Sequence, residues 1–183
     1  MKLKALVLQF LILASVTGFG QTFMIVATEV RDGEELSRPF ASQEGMIEGM
    51  FDSGYVSFDT GLYAPAMDWK AMDFREPLAI ARQGLAQYLL AAEVRSSTEP
   101  REPTTVRRDS GESTVQGLLK IETSVLYYLF DVRNSKPLGR GEMFFDNESP
   151  ETLELTYTQF LHSVGRNIAQ QGIELMRNKA VNR

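Results

Sequence analysis

The stretch VQGLLKIETSVLYYLFDV, residues 115–132, decides the fold. Leu119, Ile121, Thr123, Val125, Tyr127 and Leu129 alternate onto one side of an extended chain, because successive side chains of a strand point to opposite faces. The other side carries Lys120, Glu122 and Ser124 and then turns apolar at Leu126, Tyr128 and Phe130. A strand patterned in this way is half-exposed along its first half and covered on both faces along its second. A helix would bring Leu118, Glu122, Val125 and Leu129 near one stripe, but the β-branched and aromatic content favours the strand. The turn-rich DVRNSK, 131–136, follows, and GRGEMFF, 139–145, reads as an antiparallel strand returning beside it.

Toward the C-terminus, Ser149-Pro150-Glu151 reads as N-cap, first-turn proline and early acid of a helix. Leu153, Tyr157, Phe160, Leu161, Val164, Ile168 and Leu175 then form one stripe to about Arg177, so this long amphipathic helix must cover a sheet. Toward the N-terminus, TFMIVATEV, 22–30, is a buried strand that stops at the turn-forming Arg31-Asp32-Gly33. Residues 39–52 form a first helix, with Pro39 in its first turn, Phe40, Ile47, Met50 and Phe51 at helical spacing, and Ser53-Gly54 as the stop. Gly45, Gly49 and Gly54 on this segment allow a helix back to pack closely on a neighbour and carry no phosphate-loop lysine or serine. YVSFD, 55–59, is a second short strand.

Residues 62–72 hold Pro65 and Trp69, the only tryptophan, without a clean period, and read as a loop or short helix. Asp73 and Glu76 form a capping box that opens a second helix through Leu85. QYLLAAEVR, 87–95, is a further strand, and residues 96–113, with two prolines, a glycine and mixed charges, read as a mobile hairpin loop.

At 183 residues the chain suits one domain. With 19 Lys+Arg against 24 Asp+Glu it presents no broad basic field, which argues against a nucleic-acid partner. Zero cysteines exclude disulfides, thiolate metal sites and an acylated lipoprotein cysteine. Lys2 and Lys4, the apolar run 5–16 and the small residues Gly18 and Gly20 read as a cleaved secretory signal, residues 1–20. The apolar run is shorter than the ~20 residues that span a bilayer, so the mature chain, 21–183, is expected to be periplasmic or secreted without stable membrane insertion.

The inventory for catalysis is thin. His162, the only histidine, falls opposite the apolar stripe of the last helix, and no nucleophile elbow accompanies it. Asp52, Asp59, Asp68 and Asp73 cluster after the first helix, and two carboxylates can hydrolyse a glycoside, but acids in turns commonly cap local backbone. Asp146-Asn147-Glu148 lacks the spacing of a calcium loop and reads as capping. No cofactor site is expected.

Four segments, FMIVATEV, EGMIEGMFDSGYVSFDT, LAIARQGLAQYLLAAEVRS and VLYYLFDVRNSKPLGRGEMFF, together resemble the periplasmic α/β module of the curli secretion-channel lipoproteins and of the lipoprotein activators of penicillin-binding proteins. That module is also similar to the N-terminal domain of the Tol-Pal β-propeller protein. The resemblance rests on Gly54 and Asp59 after the first helix, on Gly84 to Val94, and on the turn from Leu129 to Leu138. The chain departs from those lipoproteins in lacking the acylated cysteine and any alternating hairpin of membrane-spanning length. The resemblance implies a non-catalytic scaffold that docks on envelope proteins or self-associates, and it supplies no catalytic residue.

The expectation is therefore a single α/β domain, α+β-like, whose mainly antiparallel mixed sheet of about five strands is covered by the C-terminal helix and two others. Its function would be an exported, non-catalytic interaction or assembly module of the bacterial envelope. Tyr63, Met67 and Trp69 would fill a partner's pocket, and 96–113 would tune charge at the rim. Two other readings stand beside it: a carboxylate-dependent hydrolase of cell-wall glycan using Asp59 and Asp73, and a carrier with an apolar pocket between sheet and helix.

Overall fold

A computed structural model describes residues 20–107, 113–150 and 154–181; the expected signal peptide lies outside them except for Gly20. The elements are β1 (Thr22–Arg31), β2 (Glu34–Glu35), α1 (Ala41–Asp52), β3 (Val56–Phe58), α2 (Arg75–Gln83), β4 (Tyr88–Arg107), β5 (Ser113–Asp131), β6 (Lys136–Pro150) and α3 (Glu154–Val181). The sheet runs β2-β1-β4-β5-β6, with β3 also beside β1. The β1–β4 and β1–β3 pairs are parallel and the others antiparallel. This is the expected mixed α/β architecture, with the two-residue β2 as an extra edge piece.

Alternation explains the layers. Phe23, Ile25, Leu90, Ala92, Val125 and Leu129 face α1 and α3, where Met46, Met50, Leu161, Val164 and Ile168 complete one core. Met24, Val26, Leu89, Ala91, Tyr128 and Phe130 face the other way, toward Phe74 and Ala81. Each fully buried large side chain contributes about 1.5–3 kcal/mol. The second half of β5 is buried on both faces as its pattern predicts, from Tyr127 through Phe130.

The two helices on the first face meet through glycines. A Cβ on Gly45 would lie 2.0 Å from the His162 carbonyl oxygen, and one on Gly165 would lie 2.0 Å from that of Ser42. Backbone contact at this distance admits only glycine. The glycine spacing thus does serve close packing, and the neighbour is α3.

The start of α1 is stitched to the outer edge of β1 between its β3 and β2 pairings. Gln43 Oε1 accepts the Ala27 amide at 3.1 Å while Gln43 Nε2 donates to Asp59 at 2.7 Å. Arg38 donates to the Ala27 carbonyl at 3.4 Å and to Thr60 Oγ1 at 2.9 Å. Phe40, the N-cap residue, offers no side-chain acceptor; the carboxylate of Glu29 on β1 takes its place, accepting the Ser42 amide at 2.7 Å. Pro39 follows a cis peptide bond and precedes the cap, so it does not occupy the first helical turn as expected. Phe51, expected in the buried stripe, is 69% exposed, because the glycine-lined side of α1 turns to α3 and carries Met46 and Met50 inward.

Three boundaries differ from expectation because a backbone ladder outranks local composition. The segment read as a mobile loop, 96–113, is largely strand: β4 continues to Arg107 and β5 begins at Ser113, and only the tip, 108–112, lies outside the described residues. A register shift between Arg101 and Thr104 absorbs Pro103, which has no amide to donate. Strand β6 extends beyond 139–145 at both ends. Ser149 and Pro150, read as a helix cap, pair with Leu119 and Leu118, and α3 begins only at Glu154; Glu151 and Leu153 lie outside the described residues. Asp146-Asn147-Glu148 is likewise strand, opposite 120–122.

Candidate functional site

The second face of the sheet is covered only in part. Between β3 and α2 the chain folds as an irregular lid, residues 59–74, over the Tyr128–Phe130 end of that face. Trp69 packs edge-on to Phe74 at 5.1 Å between ring centroids and lies 6.4 Å from Tyr128. Met67 joins the same cluster, partly buried. Of the three residues singled out for binding, Trp69 and Met67 thus point into the lid's support. Tyr63 points outward and is 55% exposed, next to Leu62 at 82%, with Met72 also exposed on the lid.

Carboxylates hold the lid's shape. Glu76 accepts from the Tyr63 hydroxyl and, at 2.6 Å, from the Ala66 amide. Those bonds lower the Glu76 pKa, and the same carboxylate raises that of the Tyr63 phenol. Asp68 Oδ1 accepts the Lys70 and Ala71 amides at 3.0 and 2.8 Å, and Asp68 and Asp73 exchange backbone hydrogen bonds. The expected capping box does not form: Asp73 takes the Arg75 amide at 3.1 Å, but Glu76 turns away to the lid.

Beyond the lid the sheet face is open. A cleft of about 530 Å³ lies there, lined among others by Arg95, Ser97, Glu122, Ser124, Phe144 and Asp146. Phe144 is 77% exposed. Sequence reasoning passed over it, yet the doublet Phe144-Phe145 in an alternating strand must put one ring on each face, and at this end of the sheet α3 covers only the Phe145 side. The cleft is on the side away from α3, so it is not the pocket between sheet and helix that a carrier would use.

The acids considered for hydrolysis are engaged locally. Asp52 pairs with Arg166, Asp59 accepts from Gln43 Nε2 and, at 2.8 Å, from the Gly61 amide, and Asp73 is bridged by the Arg75 guanidinium at 2.9 Å. The Arg75 hydrogen bonds hold the Asp73 pKa below the usual carboxylate range, opposite to what a general acid requires. Burial raises the pKa of Glu29, but that side chain is walled in at 3% exposure under α1. His162 does not stand free on the solvent side: its Nε2 lies 2.8 Å from Glu48 on α1, since the last helix packs sideways on α1 as well as down on the sheet. Among the described residues there is no group of three or more His, Cys, Asp or Glu able to hold a metal, and no helix long and apolar enough to cross a membrane.

No protein-family model matches the chain, and no curated protein matches it in sequence. Solved structures of similar arrangement include bacterial lipoproteins. A Helicobacter pylori homolog of neuraminyllactose-binding hemagglutinin is 10% identical, with a TM-score of 0.45 over 90% of this chain and 91% of that one. A leucine-to-methionine variant of the PelC dodecamer of Paraburkholderia phytofirmans is 13% identical, with a TM-score of 0.43 over 85% and 87%. Lipoprotein GNA1162 of Neisseria meningitidis is 15% identical, with a TM-score of 0.37 over 81% and 99%.

Proposed function

We propose that the chain is an exported, non-catalytic interaction module of the bacterial cell envelope that holds a protein partner on the outer side of its lid. One observation carries the reading: Leu62, Tyr63 and Met72 project into solvent from a segment that Trp69, Met67 and Glu76 fix from beneath. Exposed apolar side chains on a fixed backbone bind with little ordering cost. The export step rests on the pattern of residues 1–20.

Placing a photo-cross-linking side chain at Leu62, and separately at Phe51 on α1, tests the contact in the native host. One envelope protein should be captured from position 62, missed from 51, and lost when Tyr63→Asp is added. Identical capture from both positions, or none, overturns the reading. Turnover of cell-wall glycan that disappears in a folded Asp59→Asn variant would overturn its non-catalytic part.

A further inference from the structure

The two edges of the sheet are treated differently. The outer edge of β1 is occupied by β3, by β2 and by the Gln43 and Arg38 side chains between them. The outer edge of β6, fifteen residues long, has no strand and no hydrogen-bonding side chain against it among the described residues. Prolines stand only near its ends, at 137 and 150. An unblocked edge of this length is a template for another strand.

The side chains of β6 specify which strand. Arg140, Glu142, Phe144 and Asp146 lie on the open face, opposite Tyr128, Leu126, Ser124 and Glu122 of β5. Arg140 and Asp146 are exposed and carry no ion pair among the described residues. Six residue steps, about 20 Å, separate them, so they cannot reach each other within one chain. They are placed symmetrically about Met143.

We infer that a second copy of this chain pairs antiparallel along β6, with the two-fold axis at Met143. This two-fold lies normal to the sheet, so residues opposite one another share a face and their numbers sum to an even value. Centring the pairing on Glu142 sets that carboxylate against its own copy, and centring it on Phe144 sets Glu142 against the partner's Asp146 twice. Directly opposed like charges are destabilising. Centring on Gly141 opposes no like charges but pairs only residues 136–146, whereas centring on Met143 pairs the whole strand, sets Arg140 against the partner's Asp146 twice, and adds the cation that Asp146 lacks among the described residues beside Glu122. It also brings Phe144 diagonal to the partner's Phe144 on the open face, within reach for aromatic rings. The exposed ring thereby gains cover. The inference rests on the β6 edge and not on the lid, so a Leu62→Asp variant leaves it untouched.

Sedimentation of the protein produced from residues 1–183 tests it. A dimer is expected, weakened about tenfold or more by Arg140→Glu or by Asp146→Arg, and restored when both are combined, since the swapped charges face each other again. The chain has no native cysteine, so a single introduced one reports register. Met143→Cys should oxidise to a cross-linked dimer, because directly opposed residues have Cα atoms about 4.5–5.5 Å apart, within disulfide range. Asn147→Cys should not, because the two copies of that position are about 26 Å apart. A monomer at every concentration, a dimer indifferent to Arg140→Glu, or cross-linking from Asn147→Cys as readily as from Met143→Cys overturns the inference. Arg140 and Asp146 are exposed, so the charge swap remains informative even if Met143→Cys impairs folding.

Discussion

The two faces of the sheet are covered by opposite means. On one, α1 and α3 approach so closely that a single added methyl has no room; on the other, α2 and a lid held by aromatic rings and carboxylate hydrogen bonds cover part of the surface and stop. A face packed backbone to backbone carries stability and tolerates nothing new. A face covered by side chains of a loop can vary its outer side while the inner side keeps the core dry, and binding residues belong there.

The sharpest way to break that comparison is Gly165→Ala. In an ordinary helix interior this change is favourable by about 0.5–1 kcal/mol, but the new Cβ meets the Ser42 carbonyl oxygen at 2.0 Å. The steric cost should win by about 3 kcal/mol or more, read as a lower denaturant midpoint at unchanged m. Gly172→Ala on the same helix is the control, since its Cβ meets side-chain methyls and no backbone, those of Leu90 at 3.2 Å and of Met50 at 3.6 Å. Next in size is Trp69→Ala on the lidded face. Half-buried, it should cost about 2 kcal/mol, less than the 3–5 typical of a buried large aromatic; a loss as large as that of Gly165→Ala would erase the distinction between the faces.

Glu29→Gln sharpens the packed face. Burial raises the folded-state pKa of Glu29 above the ordinary carboxylate value of 4.5, so the native state holds this proton more tightly than the unfolded chain. Stability is then greatest below about 4.5 and declines as pH rises through the folded pKa. The amide carries no charge to desolvate and keeps an oxygen for the Ser42 amide, so the variant should gain stability at pH 7, by comparison with the wild type, and lose that advantage in acid. Unfolding curves at both pH values decide it. The smallest effect belongs to Tyr63→Phe, which removes a solvent-exposed hydroxyl from Glu76. The unfolding midpoint should stay put while hydrogen exchange at the Ala66 amide quickens.

What was legible beforehand follows the same division. Residues 115–132 announced a strand buried on both sides at one end because alternation is a property of the chain itself, and the glycines at 45 and 49 announced a close approach. Their partner helix was not legible, since Gly165 and Ala169 lie far along the sequence. Ser149-Pro150-Glu151 resembles a helix start in isolation, yet Ser149 and Pro150 stay in register with Leu119 and Leu118 of β5, and the ladder runs on. Polar residues 96–107 stayed in strand for the same reason. In the lid, Tyr63, Met67 and Trp69 could be recognised as the aromatic and sulfur-bearing residues of an aperiodic segment, but without a period nothing told inward from outward.

The Gln43 and Arg38 side chains that occupy the β1 edge have a consequence for stoichiometry. In the language of polymer chemistry, a sheet with two reactive ends is a bifunctional monomer and grows without limit, as fibrils do. With Ala27 already hydrogen-bonded at both its amide and its carbonyl, this chain is monofunctional. Two copies joined through β6 would expose at their ends only the short strands β2 and β3 beside a blocked Ala27, and propagation terminates at the first addition.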